Sequence, residues 1–378
     1  MKDEMSLFFS LLRCGVGEPV ALPPVLSAPR LEAAYTLAKR YDLTHLLGQA
    51  LTGLSPDRLP PDSLVVGKLQ RGLLLAMYRG EQIGHELAAL EGAQIPFMPL
   101  KGAVLRQLYG QPWMRTSGDI DVLVHRDDLE RASACLTDTL GYQRDKAGAH
   151  DVSFFTPGGV HIELHYDLVE DGRAGKAAAV LSRVWELSRP VGTDSYRWEM
   201  PDELFYFYHI AHMAKHVETG GCGVRPFLDL WLLNEQPHDW GRREALLRQG
   251  GLIRFGAVCR ELAGCWFSGV QTAGTALQLE TYILGGGVYG SRENRTAVEQ
   301  SRQGGKGRYV LGRLFPAISA LQYDFPVLKK HPWVLPGCWL WRWGRLLFGG
   351  RLRRSVKEMK TGRPAAEDAA TLLENIGL

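Results

Sequence analysis

Asp119 and Asp121 sit two residues apart in the apolar run DIDVLV, so a β-strand there puts both carboxylates on one face and Ile120 and Val122 on the other. Two carboxylates held side by side repel each other, and a divalent cation relieves that repulsion. The segment HIELHYD repeats the arrangement, with His161, Glu163 and His165 on one face. If the two strands are neighbours, Glu163 is a third carboxylate beside the aspartates. Such a set suits two divalent ions about 3.5–4 Å apart, which activate an attacking oxygen and stabilise a leaving pyrophosphate. A D-x-D spacing is also common at exposed strand ends, so the surrounding sequence decides its weight.

Upstream, Leu100-Lys101-Gly102 ends one apolar strand and opens a helix, where free backbone N–H groups meet phosphate and a glycine allows close approach. Arg115, Thr116, Ser117 and Gly118 then lead directly into the acidic strand, adding a cation and two hydroxyls. The ordered set of strand, Lys-Gly, helix, acidic strand and a later apolar-Glu-apolar strand carries far more information than any one piece.

These residues need a frame to hold them. Residues 1–92 read as a helical region, with apolar spacing that predicts several amphipathic helices and one long helix from Leu69 to about Leu90. Residues 93–200 alternate short β-like runs with helices: strands at IPFMPL, DIDVLV, GYQRD, DVSFFT and VHIELHYDL, the last two a hairpin through Pro157–Gly159. Asp127 or Asp128 is expected to cap the helix that follows DIDVLV. Residues 201–378 return to helical periodicity. The expected fold class is therefore α+β, a small mixed sheet with helices on one face, flanked by N- and C-terminal helical regions. In the C-terminal part, His209, His212 and His216 line one helical stripe, and Arg225 and Asp229 are four apart, a spacing that lets them pair along a helix.

The stretches PLKGAVLRQLYG (99–110), RTSGDIDVLV (115–124), LGYQ (140–143) and HIELHYDL (161–168) together resemble the DNA polymerase β-like nucleotidyltransferase superfamily. More closely, they resemble an uncharacterised bacterial nucleotidyltransferase family with Leu-Lys-Gly, Gly-Asp-Ile-Asp and Glu-Leu-His elements. The likeness extends into AHMAKH (211–216), RPFLDLWLL (225–233) and FPVLKKHPWVLP (325–336). It implies that Asp119, Asp121 and Glu163 hold two Mg²⁺ (or Mn²⁺) ions, one of them also helping to deprotonate the acceptor. It further implies that Lys101, Gly102, Arg115, Ser117 and Gly118 bind ATP or another nucleoside triphosphate. His165, His212, His216, Arg225 and Asp229 are assigned to the substrate side. The reaction implied moves a nucleotidyl group to a hydroxyl or phosphate of an unread acceptor, whether small molecule, peptide or protein. One departure stands out: the usual Gly-Ser of the phosphate turn is Lys101-Gly102 followed by Ala103, so a charge takes the place of a hydroxyl.

Three other readings remain open. The same fold can transfer another phosphate-linked group, or bind nucleotide without turnover. His161, Glu163 and His165, with His150 as a fourth ligand, can also suit zinc in a hydrolase.

Composition excludes several classes. At 378 residues with 45% hydrophobic and 22% charged residues, the chain has material for a sizeable core and is not a disordered or disulfide-stapled scaffold. Its six cysteines form no C-x-x-C pair and read as reduced thiols. The opening MKDEMSLFFSLLRCG lacks a leader's cleavage site and no run reads as a membrane span, which predicts a cytoplasmic protein. The net charge is only +3, but it is unevenly spread. Residues 116–172 carry twelve acids against four bases, whereas residues 327–360 carry nine bases against one acid. The basic, aromatic segment WLWRWGRLLFGGRLRR is expected to fold as a lid with Trp341 and Trp343 buried. Contact with nucleic acid or an anionic membrane is the less favoured expectation.

Overall fold

The computed structural model describes residues 2–80, 84–169, 175–302, 311–312, 314–321, 325–348 and 363–378. The chain divides into two compact units, one of residues 1–215 and 224–276, the other of residues 216–223 and 277–378.

The first unit is built on a five-stranded sheet of β1 (Phe97–Pro99), β2 (Asp119–Val124), β3 (Gln143–Ala147), β4 (Asp151–Phe155) and β5 (His161–His165). The spatial order is β1-β2-β5-β4-β3. β2 and β5 run parallel in the centre and every other pairing is antiparallel. A parallel neighbour requires a crossover, and the chain makes it through a short helix and the β3–β4 pair before returning beside β2. The β4–β5 pairing, with Phe155 opposite His161, is the expected hairpin.

Alternation divides the sheet chemically. Ile120, Val122 and Val124 of β2, Ile162 and Leu164 of β5, and Val152 and Phe154 of β4 form one apolar face. It packs against Leu90, Ala132 and Leu136 from the helices that cover it. The opposite face collects Asp119, Asp121, His161, Glu163 and His165. Edge strand β3 is exposed throughout and charged, which discourages pairing with another chain.

Five helices precede the sheet: α1 (Lys2–Gly15), α2 (Ala28–Arg40), α3 (Thr44–Thr52), α4 (Leu64–Gly80) and α5 (His85–Gly92). The long helix expected over Leu69–Leu90 is thus two. Gly84, at φ +129°, starts the second in a conformation a helix interior does not hold, and residues 81–83 lie outside those described. After β1 come α6 (Lys101–Leu105) and α7 (Leu129–Ala134). Asp128 holds the N-cap position of α7 without capping it. A preceding 3₁₀ turn already places Asp128 in a helical conformation, and its carboxylate pairs with Arg131 at 2.6 Å instead.

Following the sheet are α8 (Ala178–Leu181), α9 (Val184–Leu187), α10 (Asp202–Val217), α11 (Arg225–Asn234), α12 (Trp240–Gln249) and α13 (Ile253–Ser268). Phe9 of α1 stacks on Trp266 of α13 with ring centroids 4.9 Å apart, and Phe227 of α11 meets the same indole at 4.9 Å. Helices from both ends of the first unit are thereby joined.

The second unit is helical. Helix Leu335–Phe348 packs its tryptophans on a neighbouring turn: Trp339 Nε1 and Trp343 Nε1 donate to the carbonyls of Pro316 and Leu314. Trp343 is half-buried as a result, but Trp341 is 57% exposed, contrary to the burial expected of both. The two bonded indoles are two turn-facing positions of one stripe, and Trp341, midway between them, points elsewhere. Arg351, Arg353 and Arg354 lie outside the described residues. Among the described residues no helix is long and apolar enough to cross a membrane. All six cysteines are free thiols.

Replacing Phe154, fully buried in the centre of the apolar face, with alanine is expected to cost about 3–5 kcal/mol. Chemical denaturation followed by circular dichroism checks it, with the midpoint falling markedly.

Candidate functional site

The pairing of β2 with β5 fixes the site. Asp119 lies opposite His161 and Asp121 opposite Glu163, so the three carboxylates share one face of two adjacent parallel strands. Two sets of side chains bring ligand atoms within 4.8 Å of one another: Asp119, His161 and Glu163, half-buried, and Asp121, Glu163 and His165, deeper in the fold. Glu163 belongs to both and can bridge them. The zinc set expected from His150, His161, Glu163 and His165 does not assemble. His150 joins neither group, its ring instead stacking on His165 at 5.8 Å, and the two histidines of β5 divide between the two groups.

Asp121 is only 2% exposed, and its charge is compensated directly. Lys101 Nζ donates to Asp121 Oδ1 at 2.8 Å, and His165 Nε2 donates to the same oxygen at 2.8 Å. His165 Nε2 also stands 3.3 Å from Glu163 Oε2. Burial acts to raise the Asp121 pKa, but the ammonium and imidazole outweigh it and hold the carboxyl far below the usual range. Burial likewise opposes charge on His165, and the two carboxylate bonds raise its pKa regardless. Asp119 shows the opposite balance. Burial first, then repulsion from Asp121, raises its pKa, and the attraction of Lys101 does not cancel them.

Lys101 begins α6 at φ +41°, an unusual conformation for a residue with a side chain. The anchored ammonium explains why it is tolerated. Directly after it, a Cβ on Gly102 would overlap Ser117 Oγ, so glycine is required for the turn and the RTSG segment to touch. The helix itself is barely more than one turn and adds little dipole. Positive charge near this turn comes from Lys101, from Arg106, whose Nε donates to Gly102 O at 3.2 Å, and from the Arg115 guanidinium that bonds Ser117.

Arg115 stands beside this turn and is held there by a carboxylate from another helix. Its Nε and Nη2 donate to both oxygens of Asp229 at 2.9–3.1 Å, and its Nη1 donates to Thr116 O and Ser117 Oγ. Asp229 is completely buried and also accepts from Tyr109 Oη at 2.8 Å. The guanidinium is therefore engaged in tying the RTSG segment to α11. Asp229 does not pair with Arg225, four residues earlier. Arg225 reaches instead to Asp42, donating from Nη2 to its carboxylate and its carbonyl at 2.7 Å, because the two side chains leave α11 toward different neighbours. Nearby, His45 donates from Nε2 to Met114 O at 2.8 Å, and burial lowers its pKa to about 4, keeping it neutral.

Of the remaining residues named from sequence, Gly118 leads into β2. His212 lies near Tyr208, ring centroids 6.4 Å apart, while His216 belongs to the second unit. His209 is buried, bonded to Pro226 O at 2.9 Å. Tyr208, Tyr109 and His45 were not singled out in the sequence. Tyr208 is buried on α10 close to the charges of Lys101, Asp121, Asp119 and Glu163. No spacing marks these residues, since their partners are distant in sequence.

The family model of an uncharacterised nucleotidyltransferase matches residues 27–268, and the chain belongs to that family. No curated protein and no solved structure matches the chain. Membership makes the protein a nucleotidyltransferase whose substrate is a nucleoside triphosphate, and divalent ions are general in such enzymes. Acidic clusters of the right donor chemistry are present on β2 and β5.

Sequence alone suggests that removing either aspartate's charge relieves repulsion; the structure separates the two. Asp119→Asn is expected to raise the metal-free Tm, because its raised pKa means that ionisation costs stability. The gain should open as pH rises through that raised pKa and vanish in acid, where wild-type Asp119 is protonated. Asp121→Asn should lower Tm, by about 2–4 kcal/mol of stability, since Lys101 and His165 lose their shared partner. That loss is present above the ordinary aspartate pKa and shrinks as pH falls. Differential scanning calorimetry from pH 3 to 8 reads both.

Asp229→Asn should cost about 3–5 kcal/mol, leaving the Arg115 charge buried without its carboxylate. Thermal unfolding measures the loss.

Proposed function

We propose that this nucleotidyltransferase uses Mg²⁺ and ATP to transfer AMP to a hydroxyl or phosphate of its acceptor, releasing pyrophosphate. The reading is carried by one observation: the parallel register of β2 and β5 groups Asp119, Asp121 and Glu163 on a single face. Those three would hold the ions, whose chemistry is to neutralise the triphosphate and lower the pKa of the acceptor oxygen.

In this reading the acceptor oxygen attacks the α-phosphorus and forms the new O–P bond. The bond from the α-phosphorus to the bridging oxygen breaks, and pyrophosphate leaves with the electron pair. Asp119, the carboxylate least satisfied by neighbouring donors, takes the acceptor proton. Lys101 supplies positive charge beside the carboxylates, and Gly102, Ser117 and Gly118 form the turn assigned to the phosphates. Arg115 acts as a positioning residue, holding Ser117 through Nη1. His165 orients Asp121 and Glu163 rather than meeting substrate.

The test is incubation of the full chain with Mg²⁺ and α-labelled or γ-labelled ATP, with small-molecule, peptide and protein acceptors read by intact mass. The expected result is α-label in an acceptor with release of pyrophosphate, lost by about 100-fold or more in Asp119→Asn and Glu163→Gln. Transfer of the γ-label instead would establish movement of another phosphate-linked group and overturn AMP transfer.

A further inference from the structure

We infer that His161 is a metal ligand, making the outer cation position an oxygen–nitrogen site that takes Mn²⁺ in preference to Mg²⁺. This rests on the metal-dependent reading above and specifies it.

The two histidines of β5 differ in a way that points to this. His165 is nearly fully buried, and its Nε2 is engaged with Asp121 at 2.8 Å and Glu163 at 3.3 Å. It stands as a donor to carboxylates, so its Nε2 lone pair is not available to an ion. His161 makes no hydrogen bond among the described residues, and its Nδ1 stands 3.8 Å from Glu163 Oε1. That is beyond hydrogen-bond distance. Two donors each about 2.1–2.2 Å from one ion, at ordinary coordination angles, stand about 3–3.8 Å apart. The gap between imidazole and carboxylate is thus of the size an ion fills.

Position and rigidity agree. Asp119 is the register partner of His161 across the parallel pair, so the third donor approaches from the adjacent strand. The imidazole stacks on Phe155, its partner on the other side, with centroids 4.9 Å apart and planes 24° from parallel. This stack limits rotation of the ring. With 26% and 22% side-chain exposure, His161 and Glu163 remain reachable from solvent.

A buried aromatic residue borders the same cluster. Tyr208 is more than nine-tenths buried, its hydroxyl has no hydrogen-bond partner among the described residues, and it lies near Lys101, Asp121, Asp119 and Glu163.

Selectivity follows from donor chemistry. Mg²⁺ is a hard ion that strongly prefers oxygen, whereas Mn²⁺ accepts imidazole nitrogen beside carboxylates. The inner group is already compensated by Lys101 and His165 on Asp121. Asp119 lacks such compensation, so the outer group gains most from a cation.

The test is pulsed EPR of Mn²⁺ bound to the full chain, with calorimetric titration of Mn²⁺ and Mg²⁺. Wild type should show ¹⁴N coupling from a directly bound imidazole. In His161→Ala that coupling should vanish, Mn²⁺ affinity should fall about tenfold or more, and Mg²⁺ affinity should change less than about twofold. His161→Gln should behave alike and serves if the alanine variant does not fold. Bound Mn²⁺ without nitrogen coupling in wild type overturns the inference and leaves the metal-dependent reading intact. So does coupling that persists in the variants, or equal weakening of both ions. A wild-type chain that binds neither ion overturns both.

Discussion

The structure depends on keeping three carboxylates together on one face of a sheet whose other face is a hydrophobic core. Such a face is unstable by itself, since neighbouring charges repel and burial disfavours each ionised form. The fold meets this by giving its most buried member, Asp121, two charged donors on one oxygen, Lys101 from α6 and His165 from β5. Asp119 receives no equivalent donor, and its pKa moves in the opposite direction. Two aspartates on the same strand face therefore differ in environment: one is compensated by two charged donors and the other is not.

That arrangement is held from outside the sheet. The turn carrying Lys101 and Gly102 lies against Ser117, Ser117 is bonded to Arg115, and Arg115 forks onto Asp229 of α11. Tyr109 completes the same carboxylate. A chain of buried polar contacts thus runs from the site into a helix more than a hundred residues later. Buried pairs of this kind contribute little net stability compared with well-packed apolar groups, but breaking one leaves an uncompensated charge. Their main effect is to fix the turn against the acidic strand.

Much of the fold was legible beforehand. Five short strands, the β4–β5 hairpin and helices on either side followed from the alternation of apolar residues and from the Pro157–Gly159 turn. The Asp119/Asp121 face followed from strand geometry. What failed did so where local pattern was overruled by neighbours. The i,i+4 pairing of Arg225 with Asp229 was geometrically allowed, but Arg115 and Asp42 offered better partners. The cap expected of Asp128 was lost to Arg131. The stripe of tryptophans was read as one buried face, yet Trp341 points away from the turn that receives Trp339 and Trp343.

The sequence by itself determined the residue types available for chemistry and the face each occupies, because a strand's two-residue period is local. It also carries the family match, over residues 27–268. Only the tertiary structure decided that β5 lies parallel to β2 in the register that sets Glu163 opposite Asp121, that Lys101 rests on a carboxylate, and that Arg115 serves α11. Those outcomes depend on contacts between residues 20 to 114 positions apart, where no periodicity constrains the partner and the balance of burial against charge makes the choice.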